Sequence, residues 1–138
     1  MTDGIAVGAE ALRTFAANVL VGLGAELPTA ELVAESLVDA DLRGIESHGV
    51  HLLELYASRI ASGQIDPRAV VRVVDDRGSV VHLDGGLGFG QPCGMRAIDL
   101  GIERSRERGL MSVLARETTH LGALGYYTRR AAEAGCVA

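Results

Sequence analysis

The stretch Asp41-Leu42-Arg43-Gly44-Ile45-Glu46-Ser47-His48-Gly49-Val50 puts an acid, a base, a hydroxyl and an imidazole between two strongly patterned segments. Histidine titrates near neutrality, so it can give or take a proton at working pH. A glycine on either side of the Ser-His pair lets the backbone bring the imidazole to a helix end instead of a buried helix face. The chemistry on offer is acid–base catalysis by His48 with Ser47 beside it. A plain helix–turn–helix corner, with Ser-His capping the second helix, uses the same residues. The residues alone leave both readings open.

A second stretch, Glu117-Thr118-Thr119-His120-Leu121-Gly122-Ala123-Leu124-Gly125-Tyr126-Tyr127, follows an apolar strand and opens a helix. Its glycines would let backbone N–H groups approach an anion at the helix N-terminus. On spacing alone the simpler reading wins: Thr118 or Thr119 is an ordinary N-cap and His120 a polar surface residue. His51 and His82 lack such a setting and read as structural or exposed. The run from Asp84 to Gly90 resembles a dinucleotide loop, but the third glycine of that fingerprint falls on Gln91 or Cys93, and Gly94 comes one residue late. It reads as a tight strand-to-helix connection.

The elements that must position these stretches follow from periodicity. A first helix runs from about Val7 to Leu23, with Leu12, Phe15, Ala16, Val19, Leu20 and Leu23 as its apolar stripe and Gly22 and Gly24 ending it. Thr29, after Pro28, is a fair N-cap for a second helix that reaches about Arg43, with Glu31 in its first turn. Val33, Leu37 and Ala40 form its inner face, and Asp41 shares that face as a structural anchor rather than a site residue. A third helix starts near Val50 with Leu53, Tyr56, Ala57 and Ile60 inward. After Asp66-Pro67 the period changes to that of strands. Val70 to Val74 and Ser79 to Leu83 form a hairpin about Asp75-Asp76-Arg77-Gly78. A helix from about Gln91 to Arg108 has Met95, Ile98, Ile102 and Ser105 inward and a solvated end of Arg104, Arg106, Glu107 and Arg108. Leu110 to Ala115 is a short strand, and a final helix reaches about Ala134. Gly135-Cys136-Val137-Ala138 reads as the start of another buried strand.

The chain has 138 residues and a formal net charge of −5, enough for a real core in about one domain. All of its basic residues are arginines, which excludes lysine Schiff-base chemistry and a P-loop lysine. The absence of a basic tract argues against nucleic acid as a partner. No apolar run approaches the ~20 residues of a membrane span, and there is no signal-peptide pattern, so a cytoplasmic location is expected. Cys93 and Cys136 read as buried or idle thiols, and no metal site is expected.

Asp-Leu-Arg-Gly-Ile-Glu-Ser-His-Gly-Val, the later Leu-Tyr-Ala-Ser-Arg-Ile with Gly63, and Thr-His-Leu-Gly-Ala-Leu-Gly-Tyr-Tyr together resemble one family. It is the malate/L-lactate dehydrogenase-like family of NAD(P)-dependent oxidoreductases, whose fold is not of the Rossmann type. The resemblance covers nearly the whole chain, in order. It implies an α/β protein: a three-helix lobe over residues 1–65 carrying Ser-His-Gly, then over 66–138 the opening of an incomplete cofactor-binding domain. It implies that His48 protonates a substrate carbonyl oxygen, or takes the proton back in reverse, with Ser47 orienting it. It implies that His120, Leu121, Gly122, Ala123 and Leu124 contribute to the site of NAD or NADP, while His120 stays a rival for the proton. Substrates would be 2-oxoacids or 2-hydroxyacids, and the full-length enzyme would be a homodimer. The resemblance departs at Leu52, where many relatives carry an arginine for the substrate carboxylate. The rest of the cofactor domain and a relay aspartate would lie beyond Ala138, so the chain alone is expected to be inactive and prone to association. The alternative is a non-catalytic fragment or binding module.

Overall fold

The computed structural model describes residues 5–138 and contains five α-helices and a three-stranded sheet. The order is α1 (Ala9–Gly22), α2 (Leu27–Leu42), a 3-10 turn (Glu46–His48), α3 (Leu52–Ala61), β1 (Arg72–Asp76), β2 (Val80–Gly88), α4 (Gly90–Arg108), β3 (Ser112–Thr118) and α5 (Gly125–Glu133). The mixed α/β architecture is the one expected.

The first three helices close on one apolar cluster, with Ala16, Leu20, Val33, Leu37 and Tyr56 inaccessible to solvent. Small residues on α1 and α2, Ala16, Ala17, Ala30 and Ala34, let the two axes approach closely. Phe15 does not join the stripe: it is 58% exposed, because Ala16 and Leu20 are the residues that face α2. The second helix begins earlier than Thr29 suggested. Glu26 is its N-cap, and Pro28 occupies the first turn, where a missing N–H costs nothing.

In the second half, β2 is central, antiparallel to β1 and parallel to β3. The parallel pair is joined through α4, the usual crossover for such strands. Val81, Leu83, Cys93 and Leu100 form the cluster between sheet and helix. The inward stripe of α4 is therefore Cys93, Ala97 and Leu100, while Met95, Ile98, Ile102 and Ser105 are only half-buried. Arg104 is not merely solvated either. Both of its terminal nitrogens donate to the Asp76 carboxylate at 2.7 Å, which helps hold the Asp76 pKa down at about 2.

The hairpin forms with β2 longer than expected. It continues through the glycines to Gly88, with its pairing to β3 broken between Asp84 and Gly88. A Cβ at Gly85 would lie 2.8 Å from the Glu117 carbonyl oxygen, and one at Gly88 would lie 2.8 Å from the Ala69 methyl. These glycines serve close packing at a tight strand-to-helix connection. The residues after α5 do not form a strand: Gly135 turns the chain with φ of 77°, and Val137 is fully exposed. Among the described residues no helix is long and apolar enough to cross a membrane.

The corner between α2 and α3 is locked by Asp41. Its carboxylate accepts the Val50 N–H at 2.9 Å, at the start of α3. A Cβ on Gly49 would fall 1.7 Å from one Asp41 oxygen. The backbone angles of Gly49, φ −86° and ψ −163°, are open to any residue, so the need for glycine here is purely steric. Asp41→Ala should cost about 1 kcal/mol, as for loss of a helix cap. Gly49→Ala should cost about 2 kcal/mol in the parent chain through overpacking, but much less when Asp41 is already alanine. Urea unfolding of the two single variants and the double variant measures that coupling, and additive costs would contradict it.

Candidate active site

The 3-10 turn brings Ser47 and His48 to the exposed edge of the helical lobe, with Ser47 Oγ 2.9 Å from His48 Nδ1. On the other side, Glu117, next to last in β3, has a φ of 48°, a left-handed conformation that a non-glycine residue adopts at a cost. That turn directs Thr119 and His120 back across the start of α4. Thr119 Oγ1 donates to the Gly88 carbonyl at 2.9 Å. A Cβ on Gly90 would meet the His120 carbonyl oxygen at 2.3 Å, so the loop lies flat against the first residue of α4.

The result joins two motifs far apart in sequence. The His48 and His120 rings stack with centroids 5.3 Å apart and planes 27° from parallel. His120 Nδ1 lies 3.3 Å from the Tyr56 hydroxyl and accepts the Gly122 N–H at 3.2 Å. Tyr56 is wholly buried on α3, edge-on to Phe89, and its oxygen accepts a hydrogen bond from Gln91 Nε2 at 2.9 Å. Gln91 is itself completely buried in the first turn of α4.

The loop residues divide in their placement. Gly122 and Ala123 are buried, Leu121 is half-buried and Leu124 is exposed. Gly122 has φ of 76°, and the N–H expected to face an anion is turned inward to His120. Neither Thr118 nor Thr119 caps α5, whose N-cap position is Leu124 without a side-chain bond. Tyr127 donates its hydroxyl proton to the Leu121 carbonyl, and Arg129 pairs with Asp39 of α2 at 3.0 Å, so α5 holds the loop from below. His51 is exposed, and half-buried His82 stands 3.9 Å from Asp75, away from the stacked pair. Cys93 and Cys136 are both free, and burial raises the Cys93 pKa above the usual thiol value.

Electrostatics keep the inner group uncharged. Burial lowers the His120 pKa below the usual imidazole value, and the nearby His48 and Arg59 lower it further. Burial raises the Tyr56 pKa, partly offset by the Gln91 hydrogen bond and Arg59. At neutral pH, therefore, His120 is neutral and Tyr56 keeps its hydroxyl proton. Asp41, Tyr56 and Gln91 were not read as site residues from sequence. The signal for Tyr56 was a hydroxyl in a buried stripe, which needs a partner.

With this geometry in view, similarity to known proteins becomes informative. The family described as malate/L-lactate dehydrogenase matches residues 7–138. The chain belongs to that family. A malate dehydrogenase of Pyrococcus abyssi is 42% identical over 126 residues, covering 91% of this chain and 35% of that protein. An L-sulfolactate dehydrogenase of Methanocaldococcus jannaschii is 33% identical over 114 residues, covering 83% of this chain and 33% of its own length. The solved malate dehydrogenase of Pyrococcus horikoshii superposes with a TM-score of 0.90 at 40% identity, over 95% of this chain and 38% of that one. The chain thus spans little more than a third of the family members it matches.

The low His120 pKa fixes a sign for stability. The unfolded chain holds that proton more tightly than the folded chain does, so stability is intact above pH ~6.5 and falls as the pH drops below it. The loss is complete once the folded-state value is passed. Replacing His120 by Asn should flatten the decline of the urea midpoint on acidification, and an unchanged slope would contradict the placement of His120.

Proposed function

We propose that this chain is the N-terminal part of an NAD(P)-dependent oxidoreductase acting between 2-oxoacids and 2-hydroxyacids. The observation that carries the reading is the stacking of His48 on His120, which unites the Ser-His-Gly corner with the glycine loop. His48, at the open edge with Ser47 on its Nδ1, is the group that hands a proton to the carbonyl oxygen or takes it back. His120 to Leu124 contribute to holding the nicotinamide cofactor, NAD or NADP, which supplies the hydride when bound. The donor set fits such a group: a neutral imidazole, an exposed Leu124 and the start of α5 adjoin one another. Residues 1–65 act as the lobe bearing the acid, and 66–138 as the first part of the cofactor domain. Two separate apolar clusters support that division, with Phe89 crossing it.

Leu52 is buried and uncharged, so it does not grip a carboxylate. Arg59 lies one helical turn beyond Tyr56, is half-buried, bears on both Tyr56 and His120, and forms no ion pair among the described residues. We assign it the substrate carboxylate. Arg116, by contrast, is engaged by Asp84 at 3.0 Å. The working form is a cytoplasmic homodimer with a small-molecule substrate and no nucleic-acid or membrane partner.

The test is a chimera in which residues 1–138 replace the matching segment of the Pyrococcus horikoshii malate dehydrogenase. His48→Ala should lower the single-turnover rate ~10²–10⁴-fold with cofactor binding nearly unchanged. His120→Ala should instead weaken cofactor binding, read by fluorescence titration. The opposite pattern would make His120 the acid–base residue. In the same chimera, Arg59→Met should raise KM for a 2-oxoacid far more than it lowers kcat, and an unchanged KM would remove Arg59 from the site.

A further inference from the structure

His120 is reached by two hydrogen-bonding groups at the same nitrogen, and the two favour the same protonation state of the ring. The Gly122 N–H, 3.2 Å from Nδ1, has only a proton to offer, so this contact is a hydrogen bond only in the tautomer that leaves Nδ1 unprotonated. The Tyr56 hydroxyl, 3.3 Å from the same Nδ1, can then only donate its single proton there. With that proton committed, the oxygen faces Gln91 as an acceptor, and the Gln91 amide nitrogen donates to it at 2.9 Å. The relay runs one way, from Gln91 through Tyr56 to His120.

Gln91 carries an unusual burden for this. It is fully buried, and its Oε1 has no hydrogen-bond partner among the described residues. An orphaned buried oxygen is costly, and apolar residues of similar size would avoid it. The loop is built around the amide as well: a Cβ on Gly122 would lie 3.4 Å from Gln91 Nε2.

We propose that Gln91 is a positioning residue which, through Tyr56, locks His120 in the tautomer protonated on Nε2. The proposal deepens the functional reading, since it says what form of His120 the cofactor loop presents. Gln91 touches neither reacting atoms nor the imidazole itself. It sets the hydroxyl that sets the ring. Nδ1 is thereby occupied from within the protein, and Nε2–H is left as the ring's donor edge.

Nitrogen-15 long-range correlation spectra of the histidine rings in the 138-residue chain test this without substrate or cofactor. The parent chain should show His120 as one neutral species, protonated on Nε2. Tyr56→Phe removes the side-chain donor to Nδ1 and leaves only the Gly122 N–H there, and Gln91→Glu keeps the shape but replaces the amide donor with an acceptor that recaptures the Tyr56 proton. Both variants should lose the single species and show a second set of signals, protonated on Nδ1, with the His48 signals unchanged. Gln91→Leu, which leaves Tyr56 free to donate, should retain more of the parent form than Gln91→Glu. A parent spectrum with Nδ1 protonated, or with both tautomers, would overturn the proposal even if no variant folds. So would a pure Nε2–H form in both Tyr56→Phe and Gln91→Glu. Because no turnover is measured, an inactive chimera beside the expected spectra would refute the functional reading and leave this one standing.

Discussion

The Asp41 carboxylate occupies the space in which any side chain at position 49 would have to sit, and the corner that presents His48 depends on it. Its oxygen takes the Val50 N–H, and the N-terminus of α3 gains an anion from the preceding helix, where the helix dipole favours one. With that anchor in place, α3 leaves the corner in a fixed direction. Leu53 and Tyr56 turn into the lobe, and Ser47 and His48 stay at its edge. A structural carboxylate thereby sets the position of an imidazole it does not touch.

The second half of the molecule meets that edge through close backbone packing. Gly90 admits the His120 carbonyl, Thr119 ties the loop to the end of β2, and Tyr56 reaches across from α3 to the His120 ring. Phe89 joins the apolar cluster of the helical lobe although it belongs to the β2–α4 junction. The glycines of this run thus serve close packing: Gly90 leaves room for the His120 carbonyl, Gly85 for the end of β3, and Gly88 for the Ala69 methyl. The strain at Glu117 lies one turn before this contact, where the chain must reverse from strand to loop.

Much of this was legible in the residues. The change of period after Asp66-Pro67 separated the helical lobe from the sheet, and Ser-His-Gly and His-Leu-Gly were singled out before any contact between them was known. Asp41 was read as an anchor, which its bond to Val50 matches. What escaped notice depended on three-dimensional partners. Phe15 fits a helical stripe as well as Ala16 does, and only the close approach of α2 decides between them. Thr29 is a good cap by type, but Pro28 already fills the first turn. Gln91 looked like a helix start, because nothing in the sequence reveals that its amide faces a tyrosine from another element. The residues expected to open a strand at Cys136 join no sheet among the described residues.

The central claim is that two stretches separated in sequence form one site through a histidine pair. A nuclear Overhauser spectrum of the 138-residue chain, with the histidine ring protons assigned, examines it most directly. The stacked geometry, with centroids 5.3 Å apart, predicts cross-peaks between the His48 and His120 ring protons and between His120 and the Tyr56 ring. Cross-peaks from His120 to Tyr56 with none to His48 would place the Ser-His corner outside the site and contradict the account.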